Sequence, residues 1–296
     1  MDLDRRTLMG LGAVVAVTGS ASAQTLPEPQ TMRLWPHQPP GGAHVTVSES
    51  VSENRGAHPE LANRVFDHVR NPTITFYRPA APNGAAVLIA PGGGYTRVWY
   101  DKEGDDFGRW LAREGFLAAA ITYRLPQDGW AAGYDTPLQD GQRALKLLRR
   151  EAPHAKLFGM GFSAGGYLVA ALGLRGAETF YPRVDAADDL DAKLDGVAPI
   201  YPVLDTLDAD KPHDPFTALH PRVTANAPPM FFAHAADDPR VPAANTVRMH
   251  EALRAAGVAS ELHVFEKGGH GFAMRTPPGD RWPGLFLSWA QERRQA

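Results

Sequence analysis

Short apolar runs alternate with helical patterns along most of the chain. Thr73–Tyr77, Ala85–Ala90, Leu117–Tyr123, Lys156–Phe162, Gly196–Pro202, Met230–Ala235 and Glu261–Phe265 read as strands. Helices are expected from about Glu103 to Glu114, with Phe107, Trp110 and Leu111 on one face, and over Thr136–Glu151. Others are expected from Ala164 to about Leu174, near Ala243–Ala256 and near Pro283–Arg294. Strands so uniformly apolar are covered on both faces, so the pattern predicts an α/β fold: a mostly parallel, doubly wound sheet with helices on either side. In such sheets ligands sit beyond the carboxyl ends of the strands, and any chemistry belongs in the loops that follow them.

The ends of the chain read differently. Residues 24–70 are rich in Pro, Gly and Ser, which predicts an irregular N-terminal arm with at most one short strand near Thr31–Leu34. Residues 1–23 combine Arg5-Arg6, an apolar stretch from Leu11 to Val17 and the small-residue site Ala21-Ser22-Ala23. That is the order of an export signal of the twin-arginine kind, set against an amphipathic N-terminal helix as the alternative. The apolar stretch is too short to span a bilayer of ~30 Å. The expected location is therefore periplasmic or secreted, with no membrane contact after cleavage. Residues 71–296 are then expected to form one domain.

Composition narrows the function classes. With 44% hydrophobic and 21% charged residues, the chain can bury enough surface to fold. A net charge of −3 with scattered Lys and Arg offers no row of cations for phosphates, which argues against nucleic acid. The absence of cysteine removes disulfides and thiolate chemistry. No zinc-binding pattern is present, and the acidic run Asp185–Asp195 lacks calcium-loop spacing, so it reads as a solvated helix or loop.

Gly161-Phe162-Ser163-Ala164-Gly165 stands between a predicted strand and a predicted helix, the setting of a nucleophile elbow. The turn is so tight that only small residues fit two positions either side of the serine. A serine hydroxyl needs a base, and the base needs an orienting acid; in this architecture both follow later in the chain. His270 lies between glycines after the Glu261–Phe265 strand. Asp237 and Asp238 follow the Met230–Ala235 strand; Asp238 is preferred because it begins the turn Asp-Pro-Arg-Val-Pro, leaving Asp237 to bond the loop. Asp205 is a third candidate acid. His234 and His263 lie within strands and read as structural. The glycines of Pro91-Gly92-Gly93-Gly94-Tyr95 allow backbone to approach a ligand, which makes Gly93, Gly94 and Ala164 candidate oxyanion donors. A phosphate cradle fails for want of the following Lys-Ser/Thr.

These stretches, with Tyr123-Arg124-Leu125-Pro126, Asp238–Pro242 and Gly268–Phe272, resemble the α/β-hydrolases, in particular bacterial secreted acetylxylan esterase and feruloyl esterase-like proteins. Pro91 stands where lipase-like relatives carry His, which sets the chain apart from the hormone-sensitive-lipase branch. The resemblance runs from about Thr73 to Ala290. It implies hydrolysis of acetyl or other short acyl esters on xylan-type carbohydrate, with no metal or organic cofactor. The alternatives are a serine peptidase of prolyl-oligopeptidase type, a general short-chain carboxylesterase, or a carbohydrate-binding protein with a vestigial pocket. Tyr95, Trp99 and Tyr100, with Trp130 and Tyr134, are candidate surfaces for stacking on sugar rings. Arg124 is expected to pair with an acid such as Asp140.

Overall fold

A computed structural model describes residues 25–54, 59–205 and 216–295; the expected export signal at 1–23 lies outside them. Eleven strands are present among the described residues: β1 Gln30–Arg33, β2 Ser50–Glu53, β3 Arg64–Asp67, β4 Thr73–Tyr77, β5 Ala85–Ala90, β6 Val98–Trp99, β7 Leu117–Ile121, β8 Lys156–Phe162, β9 Gly196–Ile200, β10 Met230–Ala235 and β11 Ser260–Phe265. The helices are α1 Asp106–Arg113, α2 Thr136–Glu151, α3 Ala164–Leu174, α4 Ala244–Ala255 and α5 Trp282–Gln295.

Eight strands form one sheet in the order β1-β4-β7-β5-β8-β9-β10-β11. Pairing is antiparallel for β1/β4 and β4/β7 and parallel from β7 to β11. Central β5 is buried on both sides and splits its side chains by alternation. Ala86, Leu88 and Ala90 join a core with Leu145 and Leu148 of α2, Leu168 of α3 and Met249 of α4. Ala85, Val87 and Ile89 join another with Phe107 and Leu111 of α1 and Phe286 and Trp289 of α5. This is the α/β-hydrolase layer arrangement, and it brings the carboxyl ends of β5, β8, β10 and β11 to one rim.

The arm is more ordered than its composition predicts. Besides β1 it supplies β2 and β3, which pair antiparallel with each other and with β6, opposing Val65 to Trp99 and Phe66 to Val98. β2 is exposed throughout, so no buried face marks it in the sequence.

Buried polar contacts fasten the arm to the domain. Arg124 is paired as expected: Nε donates to both oxygens of Asp140 at 3.0 Å, and both side chains are fully buried. Nη1 donates to the Pro40 carbonyl at 2.6 Å. The guanidinium lies 4.7 Å from the Trp130 ring centre and 5.4 Å from that of Trp35, whose Nε1–H donates to Asp140. Arg143 donates to the Leu34 carbonyl and to Asp185 and Asp188. The acidic run is therefore not simply a solvated segment, because Asp185 and Asp188 meet a buried guanidinium.

That contact predicts an acid response. Hydrogen bonds from Arg143, and then from the Ala187 backbone N–H, outweigh burial and lower the Asp185 carboxyl to about 2. Its folded value lies below the unfolded ~3.9, so its stabilisation is complete above about pH 4 and is lost as pH falls toward 2. Tryptophan-fluorescence melts between pH 7 and 2 should show the wild type losing more Tm than Asp185→Asn across that window. Equal losses would contradict the linkage.

Candidate active site

The sharp turn between β8 and α3 holds Ser163 at φ 52°, ψ −115°, a region costly for any residue with a Cβ. The glycines around it answer close approaches. A Cβ on Gly161 would lie 2.1 Å from the Gly165 carbonyl oxygen, and one on Gly165 would lie 2.0 Å from that of Ala90. The Ser163 amide donates to the Ile200 carbonyl at 3.0 Å, tying the turn to β9.

His270 follows β11 on a loop whose flanking glycines have φ of 62° (Gly269) and 81° (Gly271). Its Nε2 lies 2.9 Å from Ser163 Oγ and its Nδ1 2.7 Å from Asp238 Oδ2. Asp237 instead accepts the Gly269 N–H at 2.8 Å, and Asp205 pairs with Arg248 at 2.7 Å. Of the three acids weighed, the structure brings only Asp238 to His270.

Asp238 is held by four donors. Oδ1 accepts the Arg240 and Val241 backbone N–H groups, and Oδ2 accepts from His270 and from the buried His234. His234 Nε2 also faces the Val241 carbonyl at 3.1 Å, which can only accept, so Nε2 carries the proton. Its Nδ1 then accepts from the Thr246 hydroxyl at 2.7 Å. Burial opposes charge at Asp238, but the bonds from His234, His270, Val241 and Arg240 prevail and hold its carboxyl far below the usual range. His263 pairs with Glu261, away from the site.

Gly93 and Gly94 line one cavity with Ser163 and His270, while Ala164 begins α3 and is buried. Gly93 has φ 137°, and a Cβ there would lie 2.0 Å from the Arg97 carbonyl oxygen. The preceding residues are braced: Tyr123 Oη donates to the Pro91 carbonyl, and the Gly92 N–H donates to Glu103 Oε2, both at 2.7 Å. Glu103 Oε1 accepts from Tyr201 Oη at 2.9 Å, and the Tyr201 ring packs edge-on to His270. Glu103 reaches this position from a π turn, Asp101–Asp105, that precedes α1. No local signal gives Glu103, Tyr201 or Tyr123 a role at the site, because their partners lie between 11 and 98 residues away.

The aromatic candidates divide. Tyr95 is buried against Tyr123, Tyr167 and Phe216, and Tyr100 against Phe66 and Tyr77, so neither presents a stacking face. Trp130 covers Arg124. Trp99 does line the cavity, whose volume is about 760 Å³, together with Lys102, Val203, Phe216 and Arg240.

The model of the prolyl oligopeptidase family matches residues 135–294, the stretch that contains Ser163, Asp238 and His270. The chain belongs to that family. The chain is 26% identical over 220 residues to an acetylxylan esterase of Xylanibacter ruminicola, covering 68% of this chain and 43% of the relative. It is 27% identical over 218 residues to endo-1,4-beta-xylanase B of Butyrivibrio fibrisolvens, covering 64% and 32%. The chain thus spans less than half the length of either curated relative. In fold it resembles an acetyl ester-xyloside bifunctional hydrolase from Caldicellulosiruptor lactoaceticus (TM-score 0.65, 24% identity, 89% of this chain and 96% of that one). It also resembles the carboxylesterase Cest-2923 of Lactobacillus plantarum (TM-score 0.62, 22% identity, 83% and 98%).

Proposed function

We propose that this chain is a serine carboxylic-ester hydrolase that removes acetyl or other short acyl groups from xylan or its oligosaccharides. The observation that carries the reading is the unbroken hydrogen-bond chain Ser163–His270–Asp238 opening on a cavity beside a glycine loop. The curated acetylxylan esterase relative supports the carbohydrate substrate. His270 takes the Ser163 proton as Oγ attacks the ester carbonyl, and Asp238 stabilises the imidazolium. The Gly93, Gly94 and Ala164 N–H groups hold the oxyanion, aided by the positive end of α3. His270 then protonates the leaving sugar alcohol, and water repeats the steps on the acyl-enzyme. Export through residues 1–23 belongs to the same reading, since polymeric xylan is met outside the cell.

Family membership favours one rival, a peptidase. Against it stands the charge of the cavity. Among its described lining residues the only acid is Glu103, buried and engaged by the Gly92 N–H and Tyr201 hydroxyl, while Arg97, Lys102 and Arg240 are cationic. Among these described residues a peptide amine finds no open carboxylate. Acetate release from acetylated xylan, set against cleavage of dipeptide p-nitroanilides with a free amine, separates the readings. Acetate should be released and the anilides left uncleaved. Cleavage of the anilides without acetate release would overturn the esterase assignment.

A further inference from the structure

The side of the cavity that receives the leaving group can be located from the proposed reaction, on which this inference rests. His270 Nε2 delivers the proton to the departing alcohol, so the alcohol half of the ester lies beside His270. The next residue, Gly271, accepts a hydrogen bond from Lys102 Nζ through its carbonyl at 3.0 Å. The same ammonium lies 5.8 Å from the centre of the Trp99 ring and 3.8 Å from Glu103 Oε1. Trp99, Lys102 and Gly271 all line the cavity that holds Ser163 and His270. The lysine side chain is only 24% exposed, so its charge is fixed in the wall rather than waving in solvent.

Glu103 pairs with Lys102 at 3.8 Å while accepting the Gly92 N–H and the Tyr201 hydroxyl. It offsets only part of the positive charge, because among the described lining residues this one acid faces three cations. Arg240 adds a cation on the exposed rim, and Arg97 another, the latter 3.8 Å from Asp67. An indole face accepts the C–H face of a sugar ring, and an ammonium at its edge accepts a carboxylate.

We infer that Trp99 and Lys102 form the subsite for the leaving alcohol and that it selects esters whose sugar half carries a carboxylate, that is, acylated oligosaccharides bearing a uronic acid at or next to the esterified ring. The acyl half is left to the remaining walls, where Val203, Phe216 and Val241 are apolar.

The test compares kcat/KM on acetylated xylo-oligosaccharides carrying glucuronic acid with the same mixture after enzymatic removal of the uronic acid. The wild type should prefer the acidic mixture by about tenfold, mostly in KM, with the preference shrinking in 0.5 M NaCl. Each variant is judged by its own acidic-to-neutral ratio, so a general loss of activity cancels. Lys102→Arg should keep the preference, Lys102→Met should abolish it and Lys102→Glu should reverse it. A second arm compares p-nitrophenyl hemisuccinate with p-nitrophenyl acetate, placing the carboxylate on the acyl half, and no preference is expected. Equal rates on the acidic and neutral mixtures, or a preference confined to the hemisuccinate, would overturn the subsite while leaving ester hydrolysis itself intact. Absence of turnover on every ester would instead fault the proposed function.

Discussion

Ser163→Ala will lower kcat on p-nitrophenyl acetate by about 10⁶-fold and end labelling by a fluorophosphonate. Alanine keeps the Cβ and the same backbone conformation at φ 52°, so the turn between β8 and α3 is undisturbed. The side-chain contact removed is the one from Oγ to His270 Nε2. Circular dichroism should show an unchanged fold. Near-normal turnover by this variant would mean that the nucleophile is elsewhere and that the chain Ser163–His270–Asp238 has only a structural part.

Asp238→Asn should cost about 10⁴-fold in kcat, by a route visible in the tautomers. Oδ2 of Asp238 accepts from His270 Nδ1, which leaves Nε2 bare to receive the serine proton. An amide NH₂ in that place donates instead, moving the imidazole proton to Nε2, where it cannot act as base toward Ser163. It would also confront the Nε2–H of His234. Asp237→Asn is the matched control, since Asp237 bonds the Gly269 N–H and not the imidazole. Its loss should stay below about tenfold, within the value of one loop hydrogen bond. If the two variants changed places, Asp237 would be the orienting acid.

Much of this architecture is legible in the chain because its signals are local. β8, β10, α2 and α3 fall on the residues that the apolar runs and helical spacing predict. The serine turn is legible too, since Gly161 and Gly165 answer a steric demand confined to five residues. What escapes is whatever depends on a distant partner. β2 has no buried face, and its mate β3 is completed by the two residues of β6. Glu103 stands at the start of what reads as a plain amphipathic helix, and only the π turn directs it to Gly92 and Tyr201. Tyr95 and Tyr100 flank Trp99 closely in sequence, yet the chain buries both and leaves Trp99 at the cavity. No composition rule separates those three aromatics; their packing does. His234 was legible as a core histidine, but not as a support for Asp238.

The candidate site is assembled from both sides of residue 135. Residues 135–294, which the family model matches, carry Ser163, Asp238 and His270. Gly93, Gly94, Trp99 and Lys102 come from upstream, on a ribbon that the small β2-β3-β6 sheet steadies. The cavity is thus built from both lengths of polypeptide, since Val203, Phe216 and Arg240 of the matched stretch line it as well. A fragment limited to residues 135–294 would keep Ser163, Asp238 and His270 yet lose the glycine loop and the wall formed by Trp99 and Lys102, so it could not present the same cavity.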